Sequence, residues 1–278
     1  MNILVTGATG FIGSKLVLRL NSLNYNVSSY DRTDNPSETL DNIDLLTQRI
    51  RGIDVICHLA GVSDPTSPDL YKINVIGTKN LLNTVNKLKQ KTKIIFASTF
   101  GVYRIPKKGD MISETYPIEP RSEYGKSKLE AERIILSNQK NTVLRFSNVY
   151  GSAMLAGKHS VVANFIDSII KNKTLKVFKK DSTRDFLYVD DAVNSLIKAL
   201  QFRDGGIFNI CTGVETSIIE LVRIIEDKLG KKAILDFTVS VSDSGYWRGD
   251  YSKAKEVLNW QPQVNLKDGL TKILDEII

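Results

Sequence analysis

The chain opens on a short apolar run followed at once by a glycine-rich turn, Asn2-Ile3-Leu4-Val5-Thr6-Gly7-Ala8-Thr9-Gly10-Phe11-Ile12-Gly13. The apolar run is typical of a buried strand, and residues 11–23 have the spacing of an amphipathic helix. Glycine lets the backbone turn tightly and approach a ligand closely. A helix that starts behind such a turn presents free N–H groups and a partial positive charge, so the pattern predicts a pyrophosphate site.

Apolar runs alternate with helical patterns through the first half of the chain. The predicted strands are residues 2–6, 27–31, 53–57, 93–98 and 142–147. The predicted helices between them lie near 11–23, 43–51, 69–89 and 122–138. This alternation favours an α/β fold, a Rossmann-type doubly wound parallel sheet with helices on both faces.

The pattern is less regular after residue 150. Helices are predicted near 160–172, 190–201 and 217–229, with short strands among them and two short helices at the C-terminus. We therefore expect residues 1–148 to form a dinucleotide-binding domain and residues 149–278 a smaller C-terminal substrate-binding domain. Residues 184–201 are expected to pack with the first domain.

Composition and charge are those of an ordinary globular protein. Of 278 residues, 42% are hydrophobic and 25% charged, and no apolar run approaches the roughly 20 residues of a membrane helix. The N-terminus lacks the features of a signal peptide, so we expect a cytoplasmic protein without a membrane partner. The net charge of +7 comes from scattered lysines without interleaved aromatic residues, which indicates a solvated surface and no nucleic-acid partner.

Cysteine and histidine are too few for a disulfide framework or a histidine-rich metal site. Cys57 and Cys211 each lie in a run typical of a buried strand, without the paired spacing of a zinc site. His58 and His159 are expected to be structural or accessory residues. The sequence therefore predicts no metal site.

The second predicted strand ends in an acidic and a basic residue, Asp31 and Arg32. A carboxylate at this position accepts hydrogen bonds from a ribose diol and repels the extra phosphate of NADP, so Asp31 favours NAD. Arg32 is able to hold that phosphate instead, which leaves NADP open. A solvated loop aspartate is the alternative interpretation.

A tyrosine and a lysine four residues apart lie on the predicted helix near 122–138, in Tyr124-Gly125-Lys126-Ser127-Lys128. Residues at this spacing share one face of a helix. An ammonium group near a phenol lowers the tyrosine pKa from its usual value of about 10, which suits proton transfer to or from a substrate hydroxyl. This helix follows a strand that ends in Ser98 and Thr99, at the edge where α/β sheets bind ligands.

The Tyr-x-x-x-Lys spacing alone is weak evidence, because two other pairs in the chain match it. Tyr103 and Lys107 have Pro106 between them, which opposes a helix. Tyr251 and Lys255 follow the end of the predicted sheet. Tyr124 and Lys128 are therefore the favoured pair.

Together these residues resemble the extended short-chain dehydrogenase/reductase superfamily, in its NAD-dependent epimerase/dehydratase branch. The resemblance covers nearly the whole chain and rests on motifs that occur in the family's order. These motifs are Gly7, Gly10 and Gly13; Asp31; residues 54–61; residues 74–78; residues 98–103; residues 124–128; residues 144–151; residues 184–191; and residues 250–254.

The resemblance implies a role for each matching residue. Tyr124 is the implied general acid/base, Lys128 lowers its pKa and contacts the nicotinamide ribose, and Thr99 is the catalytic hydroxyl. The implied cofactor contacts are Gly7, Gly10, Phe11, Ile12, Gly13, Asp31, Arg32, Leu59, Ala60, Gly61, Ser98, Tyr124 and Lys128. The implied substrate contacts are Thr99, Asn148, Arg184 and Arg248. Arg184 is expected to face a diphosphate, and its alternative is a structural salt bridge with Asp185 or Asp190.

Three departures from the family pattern affect the expected activity. The 4,6-dehydratases place Asp-Glu directly after the catalytic threonine, whereas Phe100-Gly101 follow Thr99, which argues against a dehydratase. Arg104 replaces the usual glycine after Tyr103. The family's arginine in an Arg-x-Gly-Asp stretch aligns with residues 240–243, which contain none, so Arg248 is the candidate to replace it.

The resemblance implies a nucleotide-sugar substrate and a hydride transfer at one sugar carbon. The leading hypothesis is an NAD-dependent 4-epimerase that acts through a transient 4-keto sugar. A nucleotide-sugar 4-ketoreductase, which consumes NADH or NADPH, is the alternative. A non-catalytic dinucleotide sensor is disfavoured because the three catalytic residues are intact. Family analogy also suggests a homodimer through the helices near 69–89 and 122–138.

Overall fold

A six-stranded, fully parallel β-sheet forms the centre of the protein, in a computed structural model that describes residues 1–152, 160–177, 182–237 and 245–277. Its strands, in spatial order, are β10 (Gly206–Ile210), β5 (Thr142–Phe146), β4 (Lys93–Thr99), β3 (Val55–His58), β1 (Asn2–Thr6) and β2 (Asn26–Tyr30). The chain order reverses between β1 and β3, and this reversal is where doubly wound sheets open a ligand crevice.

Nine helices and three short strand pairs complete the described part of the chain. The helices are α1 (Phe11–Ser22), α2 (Ile43–Ile50), α3 (Thr78–Lys87), α4 (Glu123–Leu136), α5 (Val161–Ile170), α6 (Val189–Gln201), α7 (Ile218–Leu229), α8 (Ser252–Leu258) and α9 (Leu266–Asp275). A π-helical segment, Lys72–Gly77, leads directly into α3. The strand pairs are β6 (Asn148–Tyr150) with β9 (Phe186–Tyr188), β7 (Thr174–Lys176) with β12 (Ile234–Asp236), and β8 (Thr183–Arg184) with β11 (Thr216–Ser217).

The two faces of the sheet bury alternate residues of each strand, as the pleat requires. Ile3 and Val5 of β1 face a core shared with α1, α6 and α8. Leu4, between them, faces a second core shared with α2, α3 and α4. A third apolar core, formed by α5, α7, α9 and the β6–β9 pair, lies in the C-terminal part of the chain. The predicted parallel sheet, covered by helices on both faces, is therefore confirmed.

The sixth strand comes from beyond the predicted first domain. The sequence indicates a buried strand at 208–211, and the structure pairs Gly206–Ile210 with β5 at the sheet edge. Helix α6 packs against α1, so this region also contributes to the first core. The division at residue 148 stays a prediction, although the sheet takes strands from both sides of it.

The residues considered for metal binding are buried in the core. Cys57 and Cys211 are free thiols. The imidazole of His58 lies between the hydroxyls of Thr6 and Thr78, at 2.7 and 2.9 Å, and burial lowers its pKa to about 3. His58 is therefore a neutral, structural histidine, and His159 lies outside the described residues. The described helices include none with the length and apolarity needed to cross a bilayer.

Candidate active site

The glycine turn after β1 is built for close approach of backbone to backbone. Gly7 has φ +72°, and a Cβ there would lie 2.6 Å from the backbone nitrogen of Ala60. A Cβ on Gly13 would lie 2.0 Å from the carbonyl oxygen of Gly7. Gly10 begins α1 without a side-chain cap, so the first-turn N–H groups of the helix face the turn. The uncapped N–H groups at the start of α1 are suited to binding a pyrophosphate.

Two adjoining cavities, of about 300 and 330 Å³, run along this turn and share part of their lining. The shared residues are Gly7, Gly10, Leu59, Gly61 and Val62. One cavity extends over the end of β2 to Asp31 and Arg32, and the other extends over the end of β4 to Thr99 and Tyr124. The two cavities together form one cleft with the shape that a bound dinucleotide requires.

Asp31 at one end of the cleft is a charged acceptor. Its Oδ2 accepts a hydrogen bond from the Thr9 N–H at 3.1 Å, and its Oδ1 accepts one from Thr33 at 2.9 Å. Burial alone would raise the pKa of Asp31, but hydrogen bonds from Thr33 and Thr9 outweigh that effect and lower it. The carboxylate is therefore ionised at neutral pH, as hydrogen bonding to a ribose diol requires. Ala60 and the exposed Arg32 also line this cavity.

A second buried carboxylate, not singled out from the sequence, supports Asp31. Glu38 is 5% exposed and accepts a hydrogen bond from the Asp31 backbone N–H at 3.0 Å. It also forms an ion pair with Arg49 of α2. Glu38 thus fixes the turn that carries Asp31, and the neighbouring arginine balances its charge. Glu38 lies outside the motifs recognised in the sequence, so this role could not be predicted from them.

The implied catalytic residues come together at the other end of the cleft. Ser98, Thr99, Tyr124 and Lys128 line the second cavity, with Phe11 and Ile12 from the start of α1. Thr99 caps a short 3-10 turn, because its Oγ1 accepts a hydrogen bond from Gly101 at 3.1 Å. A Cβ on Gly125 would lie 2.3 Å from the Gly101 oxygen, so glycine allows α4 to approach this turn closely.

The hydroxyl of Ser98 is occupied by a buried network. It donates a hydrogen bond to Glu132 of α4, which also forms a two-point ion pair with Arg145 at 2.6 and 3.0 Å. Arg145 donates to the Tyr103 hydroxyl at 2.9 Å, and Tyr103 donates to Asn209 of β10 at 2.6 Å. The network joins α4 to three sheet strands, which shows why Tyr103 is a structural tyrosine.

Lys128 and Tyr124 occupy a strongly desolvated environment. Lys128 is 5% exposed, and its Nζ lies 4.0 Å from the ring centroid of Phe96. Burial lowers the pKa of Lys128 to about 7, against the opposing charge of Glu132. Burial also raises the pKa of Tyr124 to about 12. Desolvation therefore sets the direction of both pKa values here, and the lowering of the Tyr124 pKa by Lys128 stays a prediction.

Asn74, inside the π-helical segment, connects the loop after β3 to the catalytic helix. Its Oδ1 accepts a hydrogen bond from the Val62 N–H at 2.8 Å, and its Nδ2 donates to the Ser127 hydroxyl at 2.9 Å. A Cβ on Gly61 would lie 3.1 Å from Asn74 Oδ1 and 4.0 Å from Lys128 Nζ. This close packing holds the cofactor loop next to the lysine. The sequence marked Asn74 as part of a motif but gave it no role.

Of the four implied substrate contacts, Thr99 lines the catalytic cavity, whereas Asn148, Arg184 and Arg248 line neither cavity in the described part of the chain. Asn148 stands between Ser147 and Val149, which do line the catalytic cavity. Arg184 ends β8, and Arg248 donates a hydrogen bond from Nε to the carbonyl of Gly213 at 3.1 Å. Their substrate roles stay predictions. Residues 240–243, aligned with the missing family arginine, lie outside the described residues.

The family is shown by comparison with known proteins. Residues 3–211 match the model of the NAD dependent epimerase/dehydratase family. The chain belongs to this family. It is 34% identical to a UDP-glucose 4-epimerase of Mycolicibacterium smegmatis, over 99% of this chain and 98% of that protein. It is 30% identical to UDP-glucuronic acid decarboxylase 1 of Arabidopsis thaliana, over 99% of this chain and 69% of that protein.

A solved relative carries a dinucleotide and a sugar nucleotide together. The structure of MoeE5 in complex with UDP-glucuronic acid and NAD matches with a TM-score of 0.89, at 26% identity, over 99% of this chain and 98% of that one. Family membership and the glycine turn with Asp31 agree on the cofactor, which is NAD. The predicted family and cofactor are both confirmed.

Proposed function

We propose that the protein is a nucleotide-sugar 4-epimerase. The observation that carries this proposal is the convergence of Thr99, Tyr124 and Lys128 on one wall of the cavity that continues into the dinucleotide cleft. A hydroxyl, a phenol and an amine at this place are suited to moving a proton on a sugar oxygen while hydride moves at the adjacent carbon. The epimerase relative of M. smegmatis supports the reaction type, because this chain matches it over nearly its full length.

Each catalytic side chain has a separate task in this reaction. The Thr99 hydroxyl hydrogen-bonds the sugar 4-oxygen and orients it, while the Tyr124 phenolate takes the 4-hydroxyl proton. Bound NAD supplies the hydride acceptor and a positively charged ring. A positive charge beside Tyr124 favours the phenolate and so opposes the effect of burial on its pKa.

The second half of the reaction reverses the first on the other face of the sugar. The 4-keto sugar rotates in the cavity, hydride returns to C4 from the opposite side, and Tyr124 gives back the proton. The cofactor ends as it began, so no reduced nicotinamide is consumed. Substrate rotation requires a nucleotide held by contacts away from C4, which is the role we assign to Asn148, Arg184 and Arg248.

Elimination of water is disfavoured at this site. A 4,6-dehydratase needs an acid next to the catalytic hydroxyl, and Phe100 and Gly101 follow Thr99. Phe100 is 4% exposed and packs into a small core with Tyr103 and Cys211. Among the described residues that line this cavity there is therefore no carboxylate.

A 4-ketoreductase is the second candidate, and the protonation state of Tyr124 favours it. With a pKa of about 12, the phenol carries its proton at neutral pH and is ready to donate it to a keto oxygen. A reductase would use the same residues for half of the cycle and would consume reduced cofactor. Arg32, which lines the Asp31 end of the cleft, is then the residue that would admit NADPH.

The deciding experiment incubates the purified protein with UDP-glucose, UDP-N-acetylglucosamine and UDP-glucuronic acid, with no added reduced cofactor, and follows the sugars by NMR. C4 epimers without net change in nicotinamide absorbance support the epimerase. Loss of carbon dioxide from UDP-glucuronic acid would indicate a decarboxylase. Oxidation of added NADH or NADPH by a 4-keto nucleotide sugar, with no epimer formed, would indicate the reductase.

Tyr124→Phe tests whether the assigned residue carries the chemistry. We expect turnover to fall by about 10²- to 10⁴-fold, because a general acid/base contributes this much, while NAD binding persists. Tyr251→Phe is the matched control, since Tyr251 and Lys255 form another pair with the same spacing. Equal activity of Tyr124→Phe and wild type would refute the assignment of Tyr124 as general acid/base.

We also propose a homodimer through the π-helical segment with α3 and through α4. Tyr71 and Ile76 are 52% and 40% exposed on this surface, and the Tyr71 hydroxyl donates to Glu130 of α4 at 2.9 Å. Two exposed apolar side chains on one face are suited to a self-complementary interface. Light scattering should give the mass of two chains, and Ile76→Glu should give the mass of one. A monomeric wild type would contradict the proposal.

A further inference from the structure

One buried carboxylate, Asp185, lies between β8 and β9 and has no exposed surface. Its Oδ1 accepts hydrogen bonds from the Thr212 N–H and hydroxyl, both at 2.8 Å, and from the Ser147 hydroxyl at 3.2 Å. Its Oδ2 accepts bonds from the N–H groups of Gly213 and Gly249, at 2.8 and 3.3 Å. The carboxylate thereby ties together three chain segments that are distant in sequence.

Each of these three assigned substrate contacts is next in sequence either to Asp185 or to a residue that donates a hydrogen bond to its carboxylate. Asn148 follows Ser147, Arg184 precedes Asp185, and Arg248 precedes Gly249. Arg248 has a second connection to Asp185 through Gly213. Its Nε donates to the Gly213 carbonyl, and the Gly213 N–H donates to Asp185. A shift of the carboxylate would therefore reach Asn148, Arg184 and Arg248 together.

A buried carboxylate is tolerated where hydrogen-bond donors replace the water that it loses. Burial disfavours its charge and raises the pKa of Asp185, while hydrogen bonds from Thr212, Gly249 and Gly213 oppose that effect. Buried polar groups of this kind are costly unless every acceptor position is used. The carboxylate thus links the chain segment that carries Arg184 to the one that carries Arg248.

We propose that Asp185 is the positioning residue of the diphosphate site, and that it holds Asn148, Arg184 and Arg248 in the arrangement that receives a nucleoside diphosphate. This inference rests on the proposed nucleotide-sugar substrate. Asp185 does not touch the reacting atoms, so its effect passes through the backbone of the neighbouring residues. Preorganisation of this kind increases affinity because the ligand no longer has to order the arginines.

The test compares Asp185→Asn with a matched variant, Asp191→Asn. Asp191 is 3% exposed and accepts hydrogen bonds from the N–H groups of Gln263 and Val264, both at 3.0 Å. It is thus a buried carboxylate of the same kind that supports a different part of the chain. Binding of UDP and of NAD is measured by calorimetry for both variants, together with KM and kcat for the nucleotide sugar.

We expect Asp185→Asn to weaken UDP binding and raise KM by about 10- to 100-fold. This is the effect of one misplaced arginine that no longer forms its charge-assisted hydrogen bond to the diphosphate. The NAD dissociation constant and kcat should stay within about 3-fold of wild type, well below that effect. Asp191→Asn should leave all four quantities unchanged. Equal losses of UDP and NAD binding in Asp185→Asn, or equal loss of UDP binding in both variants, would overturn the inference.

Two further variants keep the inference testable if Asp185→Asn does not fold. Ser147→Ala and Thr212→Val each remove one donor to Asp185 and leave the carboxylate in place. Each should weaken UDP binding several-fold, Thr212→Val with kcat unchanged, and unchanged UDP binding in both would contradict the role of Asp185. Absence of C4 epimerisation would refute the proposed function. The role of Asp185 is tested separately by UDP binding, which does not depend on the reaction type. Absence of UDP binding in wild type would overturn both.

Discussion

Substitution of Gly13 by alanine tests whether the cleft depends on close contact between α1 and the glycine turn. The added Cβ would lie 2.0 Å from the Gly7 carbonyl oxygen, whereas carbon–oxygen contacts in proteins are about 3.3–3.6 Å. The helix or the turn must therefore move by more than about 1 Å. The Gly7 carbonyl cannot rotate away freely, because it accepts the Gly10 N–H at 3.1 Å.

The size of the expected effect differs between stability and cofactor binding. Overpacking destabilises the protein by about 1–3 kcal/mol, whereas replacing glycine by alanine in a helix stabilises it by up to about 1 kcal/mol. The free energy of unfolding should therefore fall by about 0–2 kcal/mol. A hydrogen bond to a charged group contributes about 1.5–3 kcal/mol. Displacement of one first-turn N–H from the pyrophosphate should therefore raise the NAD dissociation constant by about 10- to 100-fold.

The assay is titration of the NAD-free protein with NAD, together with urea denaturation of the same samples. Gly269→Ala is the matched control, because a Cβ there would lie 2.1 Å from the Tyr150 hydroxyl in the C-terminal core. It should lose comparable stability and retain NAD affinity. An NAD dissociation constant of Gly13→Ala within about 3-fold of wild type would refute the steric argument.

Three further predictions follow from the electrostatics of the cleft. Asp31→Ala should bring NADP affinity to within about 10-fold of NAD affinity, because the carboxylate that repels the extra phosphate is gone; unchanged preference in titrations with both cofactors would contradict this. Glu132→Ala should lower the free energy of unfolding by about 3–5 kcal/mol, since it leaves the Arg145 charge buried and unpaired, and a loss below about 1 kcal/mol in urea would be inconsistent with that pair. Lys128, whose pKa burial lowers to about 7, carries a positive charge at pH 6 and loses it by pH 8. NAD⁺ binding should therefore tighten over this range more than NADH binding, and Lys128→Met should abolish the difference in pH dependence.

The strands, the glycine turn and the favoured tyrosine–lysine pair were predictable because local rules determine them. Ile3 and Val5 alternate with Leu4 as a pleated strand requires, and the glycines that follow predict the turn. Four-residue spacing placed Tyr124 and Lys128 on one helix face. These predictions use neighbours in sequence, which are also neighbours in space.

The remaining features depend on contacts between residues that are distant in sequence. No local sequence pattern predicts the pairing of β10 with β5, and the hydrogen bond from Tyr103 to Asn209 joins residues that are 106 positions apart. The same holds for Glu132 with Arg145 and for the donors gathered around Asp185. Spacing placed Lys128 and Tyr124 on one helix face, but it gave no information on the desolvation that acts on both pKa values.

The position of β10 has a consequence for how members of this family are recombined. The chain leaves the sheet after β5, builds much of the C-terminal core, and then returns to add β10 along the open edge of β5. A fragment that stops at residue 148 would expose this edge, which is a template for aggregation. A single crossover at residue 148 would instead join β5 of one relative to β10 of the other, so exchange of substrate specificity needs junctions on both sides of β10 to keep the two strands from one parent.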